Sequence, residues 1–86
     1  MYKATTKNNL ITENTTILAD GFSSLFFKNT GADNVNINGN ILIAPGSSFS
    51  FDNLPYVQID EHTQVIFEGI AVQKLLVIKT YFQKVM

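Results

Sequence analysis

The chain has 86 residues, a formal net charge of −1, and 45% hydrophobic against 15% charged side chains. One domain of this size buries roughly 60–65% of the surface its unfolded chain exposes, enough for one core with little margin. Six lysines, no arginine and no basic cluster exclude a nucleic-acid footprint, no run approaches a membrane span of about 18 apolar residues, and the lack of cysteine excludes disulfides and thiolate metal sites.

In chain order, residues 1–12 are polar, and they are expected to form a flexible N-terminal arm or an edge strand ahead of a β-sandwich domain over 13–86. Lys3 and Lys7 precede no apolar run of the length a secretory signal carries, so synthesis in a cytoplasm without export is expected. The sequon at Asn14 then reads as strand-flanking polar sequence. "TTILA" and "FSSLFFKN" read as strands joined by an Asp20-Gly21 turn. In "LFF", neighbouring side chains point to opposite faces, so Leu25, Phe26 and Phe27 cannot all enter one core.

"NVNINGNILIA" alternates apolar and polar residues around Asn38-Gly39, the pair a type I′ hairpin turn favours because both positions take positive φ. Pro45-Gly46 supplies the next turn and leads into "SFSF", with Phe49 and Phe51 on one face. Pro55 closes that strand, and "YVQID" and "HTQVIFE" read as two more. After a turn at "EGIA" comes "VQKLLVIKTYFQ", in which Leu76, Ile78 and Phe82 oppose Leu75, Val77 and Tyr81. Apolar groups on both faces predict a central or interface strand. The pattern as a whole predicts an all-β chain, a small antiparallel β-sandwich (Ig-like or jelly-roll-like) of seven or eight short strands.

Few residues are suited to chemistry. His62 is the only imidazole, and a lone histidine opening a strand has no partner in the sequence for acid–base work. The serines at 23, 24, 47, 48 and 50 sit in strand or turn sequence without a nucleophile elbow. Asp52, Asp60, Glu61 and His62 lie close along the chain and could offer oxygen ligands to Ca²⁺. No EF-hand spacing is present, and charges that limit strand-edge pairing account for the same residues. No catalytic, cofactor or metal residues are therefore assigned, and the chain is expected not to be an enzyme.

"FKNTGADNVNINGNILIAPGSSFSFDN" resembles small auxiliary or decoration virion proteins of tailed bacteriophages. The pieces that carry the resemblance are Asn29, Gly31, Val35, Ile37, Asn38, Gly39, Pro45, Gly46 and Ser48. It implies a non-enzymatic bacteriophage virion structural protein, made in the host cytoplasm. Such a capsid decoration protein would bind and stabilise the capsid lattice. Its expected partners are the major capsid protein or another virion protein and, as a homo-oligomer, further copies of itself. The contacts are expected on residues 1–12 and one face of the 72–83 strand. The alternative is a carbohydrate- or receptor-binding β-sandwich module of a fibre or adhesin, with Tyr2, Tyr56 and Tyr81 exposed together.

Overall fold

The computed structural model describes residues 1–85. Eight strands and no helix make up this part of the chain: β1 (Tyr2–Ile11), β2 (Thr15–Ile17), β3 (Ser24–Asn29), β4 (Asn34–Ile37), β5 (Ile41–Ile43), β6 (Ser48–Phe51), β7 (Thr63–Glu68) and β8 (Leu75–Lys84). They form two four-stranded sheets, β1-β8-β3-β6 (sheet A) and β2-β7-β4-β5 (sheet B), with every pairing antiparallel. The chain is thus an all-β sandwich of the kind its alternation predicts.

The core lies between the sheets. Sheet A contributes Leu25, Phe27, Leu75 and Val77, and sheet B contributes Ile17, Val35, Ile37, Ile43, Val65 and Phe67. Phe22, fully buried, plugs one end from the β2–β3 crossing. Phe51 joins through an edge-on contact with Phe27 at 6.1 Å. Each of these positions falls on the alternate residues that face inward in its strand.

The turns follow their residues closely. Asn38 (φ 56) and Gly39 (φ +80) both adopt positive φ. The register nevertheless pairs Ile37 with Ile41, so the connection has three residues and not two. Asn38 is held to β7 twice: its N–H donates to the carbonyl of Gln64 at 3.0 Å, and its Oδ1 accepts from the Gln64 N–H at 2.9 Å. Gly46, at φ +82, follows Pro45 in a turn closed by the Ser47 N–H on the Ala44 carbonyl at 2.9 Å, the arrangement of a type II turn.

Three sequence expectations change. Asp20-Gly21 does not close a hairpin, because β2 and β3 lie in different sheets and the segment crosses between them. "YVQID" forms no strand: residues 52–62 return from sheet A to sheet B as a loop. That loop is pinned by a turn from the Val57 N–H to the Leu54 carbonyl and by the Ile59 N–H on the Phe22 carbonyl, both 2.9 Å. Finally, the strands are not all short. β1 and β8 run ten residues each and pair along their whole length, Tyr2 with Lys84 through Ile11 with Leu75.

This long pair shapes the molecule. β3 follows β8 only from Leu75 to Thr80, so Tyr81–Lys84 pair with β1 alone and the ribbon extends past the sandwich by roughly 14 Å at about 3.4 Å per residue. The radius of gyration is 13.5 Å and the extents are 49 × 20 × 16 Å, against a radius of about 12 Å for a compact chain of this length.

Candidate functional site

Three places could do something, and two resolve into structure. The first is a pocket of about 120 Å³ lined by Asn38, Phe51, Asn53, Ile59, Glu61, His62 and Thr63. His62 Nδ1 there accepts the Ala19 N–H at 3.2 Å. That contact ties the crossing segment after β2 to the start of β7. Asp52 accepts from the Ser50 hydroxyl at 2.9 Å. Among the described residues, no three His, Cys, Asp or Glu side chains come together to hold a metal ion.

The second place is the end of the sandwich that holds Asn29, Gly31 and the Pro45-Gly46 turn; Asn38-Gly39 lies at the other end of β4, beside the first pocket. Asn29 is fully buried. Its Nδ2 donates to the carbonyls of Asp33 (2.6 Å) and Ile43 (3.0 Å), and its Oδ1 accepts from the Gly31 N–H at 3.0 Å. A Cβ on Gly31 would run into the carbonyl of Val72 and stand 2.7 Å from the amide nitrogen of Lys74. Asp33 in turn accepts from the Ala71 N–H at 3.0 Å and the Gln73 side chain at 3.2 Å. Asn29, Gly31 and Asp33 therefore knit the β3–β4, β5–β6 and β7–β8 connections together, which is structural work. Asn14 has a similar part, with its Oδ1 accepting the Phe67 N–H at 2.8 Å.

The third place is sheet A, where position along the strand decides what each side chain meets. Leu75 and Val77 face the core, so their paired neighbours Ile11 and Asn9, and then Lys7, Thr5 and Lys3, lie on the inner side. The outer face carries Tyr2, Ala4, Thr6, Asn8 and Leu10 from β1 and Leu76, Ile78, Thr80, Phe82 and Lys84 from β8. β3 adds Ser24, Phe26 and Lys28. Phe26, Leu76, Ile78 and Phe82 are half-buried by their neighbours, Leu10 is 56% exposed, and nothing among the described residues covers this face as a layer. Phe26 is thus the residue of the "LFF" run that the core leaves out.

The lysines concentrate on sheet A, whereas six of the seven carboxylates lie in connections and one, Glu68, on a strand of sheet B. Lys3, Lys7, Lys28, Lys79 and Lys84 are on strands of sheet A, and Lys74 directly precedes β8. All seven carboxylates lie outside the strands of sheet A. On its inner side, where the ribbon leaves the core, the ammonium of Lys7 stands 5.0 Å over the Tyr81 ring. The Tyr81 hydroxyl donates to Asp20 at 2.9 Å, and Lys79 lies 3.9 Å from the same carboxylate. Burial, then the bond to Asp20 and its negative charge, push the Tyr81 hydroxyl up to about 12. Next to this cluster, Asn9, Ile11, Val77 and Lys79 face Thr15–Leu18 and Asp20 across a cleft of about 340 Å³.

Of the tyrosines singled out by sequence, Tyr2 and Tyr56 meet, with ring centroids 6.5 Å apart. Tyr81 points to the other face of the ribbon. Sequence reasoning missed the length of β1. Its side chains from Lys3 to Asn9 are polar on both faces, apart from Ala4, and exposed, so it shows none of the alternation that marks a half-buried strand.

The fold and surface define an eight-stranded antiparallel β-sandwich with a projecting two-stranded ribbon and an unlayered apolar face. Comparison with protein-family models, with curated proteins and with solved structures gives no match.

Proposed function

We propose that this chain is a non-enzymatic virion structural protein, an auxiliary or decoration protein of a tailed bacteriophage that stabilises the capsid lattice as a homo-oligomer. The observation that carries the reading is the outer face of sheet A, where Phe26, Leu76, Ile78, Phe82 and Leu10 form an apolar stripe beside an open strand. An apolar stripe outside the core, broken only by the Thr6–Thr80–Ser24 row, fits a protein that works by contact. The resemblance at Asn29, Gly31 and the two glycine turns supports the virion context. Cementing by mass action needs many weak contacts and no reacting group. The major capsid protein is the proposed partner, on the half of sheet A formed by β1 and β8.

The test is co-sedimentation with phage capsids, comparing the native chain with Ile78→Ser and with Phe82→Ser. Both replaced side chains lie on the outer face, so folding should persist while binding drops at least tenfold. Equal binding by all three chains would remove sheet A from the account, and recovery of the native chain only in the supernatant would remove the virion role. A second reading, a carbohydrate- or receptor-binding module of a fibre or adhesin, is favoured only by the Tyr2–Tyr56 pair. A glycan array distinguishes it: signal lost in Tyr56→Ala would support that reading.

A further inference from the structure

The four sheet edges are not alike. β2 and β5 have three residues and β6 has four; an edge that short offers little for another strand to join. β1 is an edge of ten residues without proline, glycine or bulge.

Its free hydrogen-bonding groups can be assigned. In an antiparallel pair, the N–H and C=O of alternate residues point to the partner strand and those between point away. The Val85 N–H donates to the Met1 carbonyl, so Met1 faces β8, and with it Lys3, Thr5, Lys7, Asn9 and Ile11. On the far side of β8 the Thr80 carbonyl accepts the Ser23 N–H, which agrees with this phase. Tyr2, Ala4, Thr6, Asn8 and Leu10 therefore aim their backbone groups outward, and no described residue hydrogen-bonds to them.

The geometry points to a second copy of this chain as the occupant, its β1 antiparallel to this one across a two-fold axis at Thr6. Symmetry restricts the choice. Two copies related by an axis perpendicular to the sheet keep the same outer face, so residues that oppose each other must share parity along the strand. Centring on Thr6 sets Tyr2 against the partner's Leu10, Ala4 against the partner's Asn8, and Thr6 against itself. Every outward group is then used, in five residue pairs that each exchange two hydrogen bonds.

The lysines select this register. Shifting the axis to Thr5 would set Lys3 against the partner's Lys7, and shifting it to Lys7 would set that residue against itself. Like charges directly opposed destabilise a ladder. Centred on Thr6, Lys3 meets the partner's Asn9 and Lys7 meets the partner's Thr5. The same lysines that discourage indiscriminate edge pairing permit this one. The product is a continuous eight-stranded sheet in which the apolar stripe of one copy meets that of the other at Leu10 and Tyr2. The inference names the seam of the homo-oligomer in the reading above. It rests on that oligomer alone and not on capsid binding.

Sizing by light scattering and cross-linking test it without capsids. The native chain should have twice its 9.6 kDa mass at high micromolar concentration, and Thr6→Pro should be a folded monomer. Proline at that position removes an outward N–H and none of the β1–β8 ladder. Thr6→Lys, which sets two ammonium groups together on the axis, should weaken association at least tenfold even if the proline variant misfolds. The chain has no native cysteine, so single replacements report register. Thr6→Cys should form disulfide-linked dimers, since directly opposed Cα atoms about 5.5 Å apart suit the bond. Ala4→Cys and Asn8→Cys should link when mixed and not alone. A native monomer at these concentrations, a dimer indifferent to Thr6→Lys, or Ala4→Cys linking to itself would each overturn the seam.

Discussion

Asn29 is the most consequential single polar residue in this fold. Its amide fills three hydrogen bonds inside a fully buried turn cluster. Asn29→Ala would take the side-chain donor from the Asp33 and Ile43 carbonyls, while the Gly31 N–H keeps its bond to the Lys74 carbonyl at 3.1 Å, so a loss of about 2–4 kcal/mol is expected in urea denaturation. A loss under about 0.5 kcal/mol would mean that water replaces the amide. Gly31→Ala should destabilise by about 1–3 kcal/mol through crowding, because its neighbours Val72 and Lys74 meet it with backbone atoms that have no rotamer to change. Tyr81 gives a pH signature. Its hydroxyl is raised from 10.0 to about 12, so the folded state holds that proton more tightly than the unfolded chain does. The stabilisation is complete below pH 10 and is lost as pH rises through 12. Stability measured across that window should therefore fall more steeply for the native chain than for Tyr81→Phe, with the other titrating groups common to both. Identical slopes would show that neither burial nor the bond to Asp20 holds the Tyr81 proton in solution.

At the scale of elements, β8 carries the contrast between core and outer face. Val77 is 1% exposed between the sheets, whereas Ile78 faces outward. Val77→Ala should cost about 2 kcal/mol or more from lost burial and the cavity left behind, and Ile78→Thr less than half as much in the isolated chain. Equal costs would mean that the outer face is covered. The elements also show how far local sequence reaches. Asn38-Gly39 and Pro45-Gly46 could be placed because positive φ has few suppliers, and β7 and β8 because Val65, Phe67, Leu75 and Val77 alternate strictly into the core. β1 could not be placed as a ten-residue strand. What holds it is a ladder to residues 75–84, at the far end of the chain, and no periodicity along "YKATTKNNLI" signals that pairing. "YVQID" failed for the opposite reason: Val57 and Ile59 alternate like a strand, but Ile59 is used by a single backbone bond to Phe22 in a sheet-to-sheet crossing. Of the candidate surface, the apolar outer face was legible from residues 75–82. The open edge beside it was not.

For the whole molecule, the uneven distribution of charge and edges matters more than the net charge of −1. Sheet A holds the strand lysines and the one long edge. In the proposed Thr6-centred dimer, Lys7 of each copy would sit diagonal to the partner's Lys7, roughly 7–8 Å apart. Raising salt from about 0.01 M to 0.15 M shortens the screening length from about 30 to about 8 Å. Self-association should therefore tighten with salt, as sedimentation at several ionic strengths would record. Dissociation by salt would mean an interface held by opposite charges, a different surface from this one. Amide hydrogen exchange resolved by residue over a concentration series tests the central claim most directly, that the edge of β1 is a contact surface. The amides of Lys3, Thr5, Lys7 and Asn9, bonded to β8, should be protected at every concentration, while those of Ala4, Thr6, Asn8 and Leu10 gain protection as concentration rises. Fast exchange at Ala4, Thr6, Asn8 and Leu10 at the highest concentration, with their neighbours still protected, would contradict it.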